Sequence, residues 1–148
     1  MTKIKVTKAN TLAFKSGTSI TFTDPCYVFD YKQKDYDEAW SDMCNQMFKE
    51  GTKDEGLLEV HLDDGTVVNI LFTGTRHGDG YYGVDSIPGR FGVDAGLICV
   101  LATADMLKIN DRDIRDISSQ TTVLDDDAVF TAEDFGIHDH SRRYNLVT

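Results

Sequence analysis

Proline is scarce in this chain: only Pro25 and Pro88 occur in 148 residues. That excludes a proline-rich linker or an extended polyproline segment. Long apolar runs are also missing, and none approaches the roughly 20 residues that a membrane-spanning helix needs. The opening residues Met1 to Val6 alternate polar and apolar and lack the apolar stretch of a secretory leader. Cysteines number three (Cys26, Cys44 and Cys99), so they cannot all pair within one chain. With no leader they read as reduced thiols of a cytoplasmic protein. No CxxC pair occurs, which argues against a thiolate zinc site. Cations are few: 15 Lys and Arg face 25 Asp and Glu, a net charge of -10. Such a surface is repelled by nucleic acid and by anionic membranes, so neither is an expected partner.

The acids are unevenly chosen, with 20 Asp against 5 Glu. Asp favours turns and caps, so the negative charge belongs on loops and element ends. Apolar residues make up 41% of the chain, enough for a core, and no repeat or low-complexity linker divides it. One compact domain over residues 1–148 is the economical reading.

Residues 3–9 and 18–24 alternate and read as half-buried strands, joined across a turn at residues 15–18 and ended by Pro25. The clearest helix is 36–49. Asp35 and Glu38 have capping-box spacing, and Tyr36, Trp40, Met43, Cys44, Met47 and Phe48 share one stripe, with Gly51 as a stop. A hairpin follows with its turn at Asp63-Asp64-Gly65. A three-residue loop with Gly65 left-handed sets Val60 opposite Val68 and Leu58 opposite Ile70, matching apolar with apolar. Residues 90–102 end in an apolar run that suggests a central strand covered on both faces, with residues 81–86 pairing to it. Thr103 is placed to cap a short helix through Lys108. Thr131 is placed to cap a short turn, with a last edge strand at Leu146 and Val147. The expected fold is α+β: a mostly antiparallel sheet of about six strands with the 36–49 helix on one face.

Residues 76–82, Arg-His-Gly-Asp-Gly-Tyr-Tyr, form the most site-like stretch. Two glycines let the backbone turn and approach a ligand. Arg76 and His77 offer positive donors, Asp79 a carboxylate, and Tyr81 a stacking face, a set suited to a phosphate, a nucleobase or a peptide carboxylate. The competing reading is a glycine turn whose Asp79 bonds nearby amides. Thr23 to Tyr27 ends a strand and opens a loop. Asp24 and Tyr27 are candidate ligand contacts there, while Cys26 reads more simply as a small thiol beside a turn than as a nucleophile. Asp94, between Gly92 and Gly96, reads as a carboxylate inside the late strand. It is either a pocket acid or the internal partner of an arginine such as Arg76 or Arg90. His138-Asp139-His140 and the runs 111–113 and 125–127 carry only weak metal signals, and no metal or cofactor is expected.

The ordered set TSITFTDPCY (18–27), Trp40, GDGYY (78–82) and VDAGLICV (93–100) resembles a group of uncharacterised small proteins of phages and bacteria with DPCY, GDGxY and VDAG motifs. The resemblance covers roughly residues 18–102. It implies an intracellular domain, in the host cytoplasm if phage-encoded, and supplies no catalytic residue. It also suggests that Asp24, Asp79, Tyr81, Asp94 and Gly96 share a framework or cleft. By analogy the expected function is non-enzymatic. The chain would be an accessory factor that inhibits a host protein or sequesters a host signalling nucleotide, in the manner of counter-defence. The two competing readings are a small nucleotide or phosphodiester hydrolase built on Asp24, Asp79 and Asp94, and an acidic DNA mimic.

Overall fold

The computed structural model describes residues 2–29, 34–47, 55–110 and 112–148, with the side chains of 34–37 left aside. The strands in chain order are β1 (Lys3–Thr7), β2 (Thr11–Phe14), β3 (Ser19–Thr23), β4 (Glu55–His61), β5 (Val67–Gly74) and β6 (Gly80–Tyr82). They continue as β7 (Phe91–Val93), β8 (Leu97–Ala102), β9 (Ser119–Val123), β10 (Ala128–Glu133), β11 (Gly136–Asp139) and β12 (Asn145–Leu146). The helices are α1 (Pro25–Val28), α2 (Lys34–Met47) and α3 (Thr103–Ile109), with a 3-10 turn at Ile114–Asp116.

The apolar run of β8 dictates the layering. Leu97, Cys99 and Leu101 point to one side, Ile98 and Val100 to the other, and all five are buried. A strand apolar on both faces must be covered twice. On the first face the cover is helical: Ala39, Met43 and Met47 of α2 and Met106 and Ile109 of α3 join Val68, Ile70 and Phe72 of β5. On the second face it is another sheet, whose Phe130, Ala132, Ile137 and Leu146 meet Ile20, Phe22 and Leu71. The chain is therefore α+β. Its main sheet has six strands in the order β1-β4-β5-β8-β3-β9, the covering sheet has four in the order β12-β11-β10-β2, and β6-β7 form a separate pair. Every strand pairing among the described residues is antiparallel.

The hairpin of β4 and β5 takes the register that matches apolar residues: Val60 lies opposite Val68 and Leu58 opposite Ile70. Gly65 has φ +88°, the left-handed region its loop demands, and the Thr66 N–H donates to the Asp64 carboxylate at 2.9 Å. Helix α2 buries the expected methionines and is described over Lys34–Met47; the end of the expected 36–49 span lies outside the described residues. The expected cap at Asp35, the stripe positions Tyr36 and Phe48 and the stop at Gly51 fall outside the described side chains.

Several expectations are corrected. The chain between the first two predicted strands is not just a turn: β2 departs into the covering sheet, so β1 pairs with β4 and never meets β3. Thr103 does not cap α3; Ala102 holds the N-cap position, and the Thr103 hydroxyl meets those of Ser19 and Thr21 at 2.9 and 2.8 Å. Thr131 lies within strand β10. The reversal comes at Asp134 and Phe135, both left-handed (φ 51° and 62°), which joins β10 to β11 as a two-residue hairpin. The Arg76 guanidinium lies 5.0 Å over the Phe135 ring and so braces this turn.

The two edges of the main sheet are treated differently. The outer edge of β1 carries Lys3 and Lys5 and is closed by one side chain. The Val6 N–H donates to the Gln46 amide oxygen at 2.9 Å, and the Gln46 amide nitrogen donates to the Ile4 carbonyl at 2.8 Å. Gln46 thus occupies the place a further strand would take. We expect Gln46→Ala to lower unfolding free energy by roughly 1–2 kcal/mol, for two neutral hydrogen bonds lost at a partly buried edge. Urea denaturation monitored by circular dichroism would measure this.

Candidate functional site

Pro25 stops β3 and opens α1, and Asp24 stands at the junction as the N-cap. Its side chain is fully buried. One carboxylate oxygen accepts the Cys26 N–H at 2.9 Å. The other accepts the Asp94 and Ala95 N–H groups at 2.9 and 2.7 Å, which belong to the bend between β7 and β8. The DPCY and VDAG segments thus meet through one carboxylate. Burial pushes the Asp24 carboxyl above the usual aspartate range, and the three amide donors pull against that shift.

Around this junction the acids converge. Burial pushes the Cys26 thiol far above its ordinary range, and the neighbouring charges of Asp24, Asp94 and Asp79 push it further. A thiol so disfavoured as thiolate makes a poor nucleophile. Cys99, fully buried beneath it, is raised by burial and then by Asp24 and Cys26.

Asp94 is not inside a strand. It sits in the bend at 94–96, exposed, and needs no internal arginine partner. The bend turns through Gly96, left-handed at φ +68°, where an added β-carbon would lie 3.9 Å from the Asp79 carboxylate. The Gly96 carbonyl accepts the Thr75 N–H at 2.9 Å. The hydroxyls of Thr75 and Tyr82 both donate to the Gly78 carbonyl at 2.7 Å. These bonds lock the glycine-bearing loop beside the bend and leave Asp79 and His77 exposed.

The remaining candidates separate. Arg76 points elsewhere, over Phe135, with its guanidinium donating to the Asp134 carbonyl at 3.3 Å. Tyr27 is half-buried against the helical core, and its carbonyl accepts the Asn110 side-chain amide at 3.0 Å. Tyr81 is 75% exposed and lies over Gly92, where an added β-carbon would stand 3.5 Å from the ring. The structure therefore groups Asp24, Asp79 and Asp94 around Cys26, with His77 on the same loop and Tyr81 on the adjoining strand. It sends Arg76 and Tyr27 away.

The other acid and histidine clusters are occupied by the fold. Both Asp139 oxygens are engaged, one by the Ser141 N–H and hydroxyl and the other by the Tyr144 N–H. His138 faces Glu133 at 3.2 Å, and His140 Nδ1 accepts the Val129 N–H at 3.1 Å. Asp125 pairs with Arg143, Asp127 accepts the Ser16 N–H, and Asp113 pairs with Arg115. Among the described residues no three His, Cys, Asp or Glu side chains stand close enough together to hold a metal ion, those around Cys26 included, and no helix is long and apolar enough to cross a membrane.

One contributor escaped the sequence reading. Ser118, just before β9, accepts the Gly92 N–H on its hydroxyl at 2.7 Å and so ties the Tyr81 strand pair to the edge of the main sheet. Its only sequence signal is the charge-free stretch 117–124. No known protein family, curated protein or solved structure matches this chain.

Two outcomes are expected. Asp24→Asn turns an NH2 group toward at least one of the three amides in either rotamer, costing roughly 1–3 kcal/mol in denaturant unfolding. At pH 8 the Cys26 thiol should alkylate with iodoacetamide at least about tenfold more slowly than free cysteine, read by mass spectrometry of the native protein.

Proposed function

We propose that this chain is a non-catalytic binding domain, an accessory factor of the phage type, that engages a basic surface of a host protein. Its contact face would be the exposed lip formed by His77, Asp79, Tyr81 and Asp94. The observation that carries this reading is the state of Asp24. Its oxygens are committed to three backbone amides, so the acid that a hydrolase reading would need as base or ligand serves as a structural clamp. What the clamp leaves on the surface is a rigid loop pair with two free carboxylates and an exposed tyrosine ring. Rigid aromatic and charged groups on a fixed frame suit protein recognition, because little side-chain entropy is lost on docking.

A nucleotide is less well served by this lip. Its phosphates would approach Asp79 and Asp94, while the guanidinium of the same loop, that of Arg76, is spent on Phe135 and Asp134. DNA mimicry is less well served too, since Asp113, Asp125, Asp127 and Asp139 are held in internal bonds rather than ranged along a ridge.

The test is affinity capture from bacterial lysate with the wild type and the Asp79→Asn/Asp94→Asn double variant. A basic protein retained by the wild type, released by raised salt and lost from the double variant is the expected result. Turnover of a nucleotide or phosphodiester by the wild type that disappears in the double variant would overturn it.

A further inference from the structure

The second edge of the main sheet is open. In β9 the Leu124 N–H donates to the Thr18 carbonyl at 2.9 Å, so the residues of that parity, Gln120 and Thr122, bond to β3. The N–H and C=O groups of Ser119, Thr121 and Val123 therefore face outward. Among the described residues no glutamine side chain bonds to these outward groups, and residues 117–124 hold no lysine and no other charge. Gln120 is turned inward, accepting the Val84 N–H at 2.9 Å and donating to the Gly89 carbonyl at 2.8 Å. Val123 is 57% exposed beside the edge.

The surroundings of this edge select its occupant. Residues 113–127 contain five aspartates and one cation, Arg115, which is paired with Asp113, while Arg143 from outside the stretch pairs with Asp125. Asp116 at one end and Asp126 at the other are exposed. The start of β9 is also continuous with the tyrosine lip, because Ser118 holds Gly92, over which Tyr81 lies.

We infer that β9 is a docking edge that receives an extended, uncharged peptide segment with basic flanks, adding a seventh strand to the main sheet. The outward groups of Ser119, Thr121 and Val123 would give main-chain hydrogen bonds. The aspartates at both ends would hold the flanking lysines or arginines, and Tyr81 would cover the strand near Ser118. This deepens the proposed function, on which it rests for the existence of a basic partner.

The test uses the full chain and a fluorescein-labelled peptide of alternating threonine and valine with two lysines at each end. In the free protein, amide hydrogen exchange should be fast at Ser119, Thr121 and Val123 and slow at Gln120 and Thr122. Peptide addition should slow the first three. Thr121→Pro removes the outward donor, together with the contact between the Thr121 and Thr21 hydroxyls at 3.1 Å, and should weaken binding by about tenfold or more. A peptide N-methylated at alternate residues should lose binding to the unmodified protein, which keeps the test valid if the proline variant misfolds. The inference is overturned if the peptide fails to bind, or binds equally well after N-methylation. It is also overturned if the three amides are already protected in the free monomer, or protected only by self-association at high concentration. Edge protection that persists in Asp79→Asn/Asp94→Asn with unchanged affinity would support the docking edge while removing the acidic lip from the proposed function. Affinity lost in that variant with no edge protection in the wild type would do the reverse.

Discussion

A single buried carboxylate joins distant parts of this chain. Asp24 caps α1 through Cys26 and at the same time holds the amides of Asp94 and Ala95, about 70 residues further on. Without it the end of β3 and the bend before β8 would each present unsatisfied N–H groups to a closed interior, and both would need water that burial denies them. The glycine-bearing loop depends on that bend in turn, through the Thr75 to Gly96 hydrogen bond. The exposed Asp79 and Asp94 keep their positions because the carboxylate below them is fixed.

The same arrangement explains why three acids, a thiol and a histidine, which look like catalytic material in sequence, form a poor active site. The acid with the most perturbed surroundings is buried away from solvent and already accepts three backbone N–H groups. The thiol lies under negative charge that opposes its ionisation. What stays exposed is Asp79, Asp94 and the Tyr81 ring, with the outward backbone groups of β9 nearby. Opposite treatment of the two sheet edges, one plugged by Gln46 and the other left uncharged, fits a protein that guards against strand addition on one side only.

Much of the framework was legible in the sequence. The β4–β5 register followed from matching apolar residues around a glycine turn, and the α2 stripe from helical spacing. The central position of β8 followed from a run that is apolar at every residue. Local pattern failed where partners are non-local. Strand β2 (TLAF) and strands β9 to β11 (SQTTV, AVFTAE and GIHD) are four to six residues long and hold no long apolar run. Segments of that kind read equally well as loops until a second sheet is there to cover them. Asp94 was read inside a strand because Val93 and the apolar run flank it; the left-handed Gly96 breaks the ladder there instead.

For the site, the sequence by itself determined which groups were available: the DPCY turn, the glycine-flanked Asp79 and Tyr81, and an acid excess that disfavours polyanions. Residue type and near-neighbour spacing suffice for that, because caps, turns and net charge are local properties. Only the tertiary structure decided their roles. It spent Asp24 on backbone amides and Arg76 on Phe135, left Asp79 and Asp94 exposed, and left the edge of β9 bare. A hydrogen bond between residues far apart in the chain follows from how layers stack. No short window of sequence contains that information.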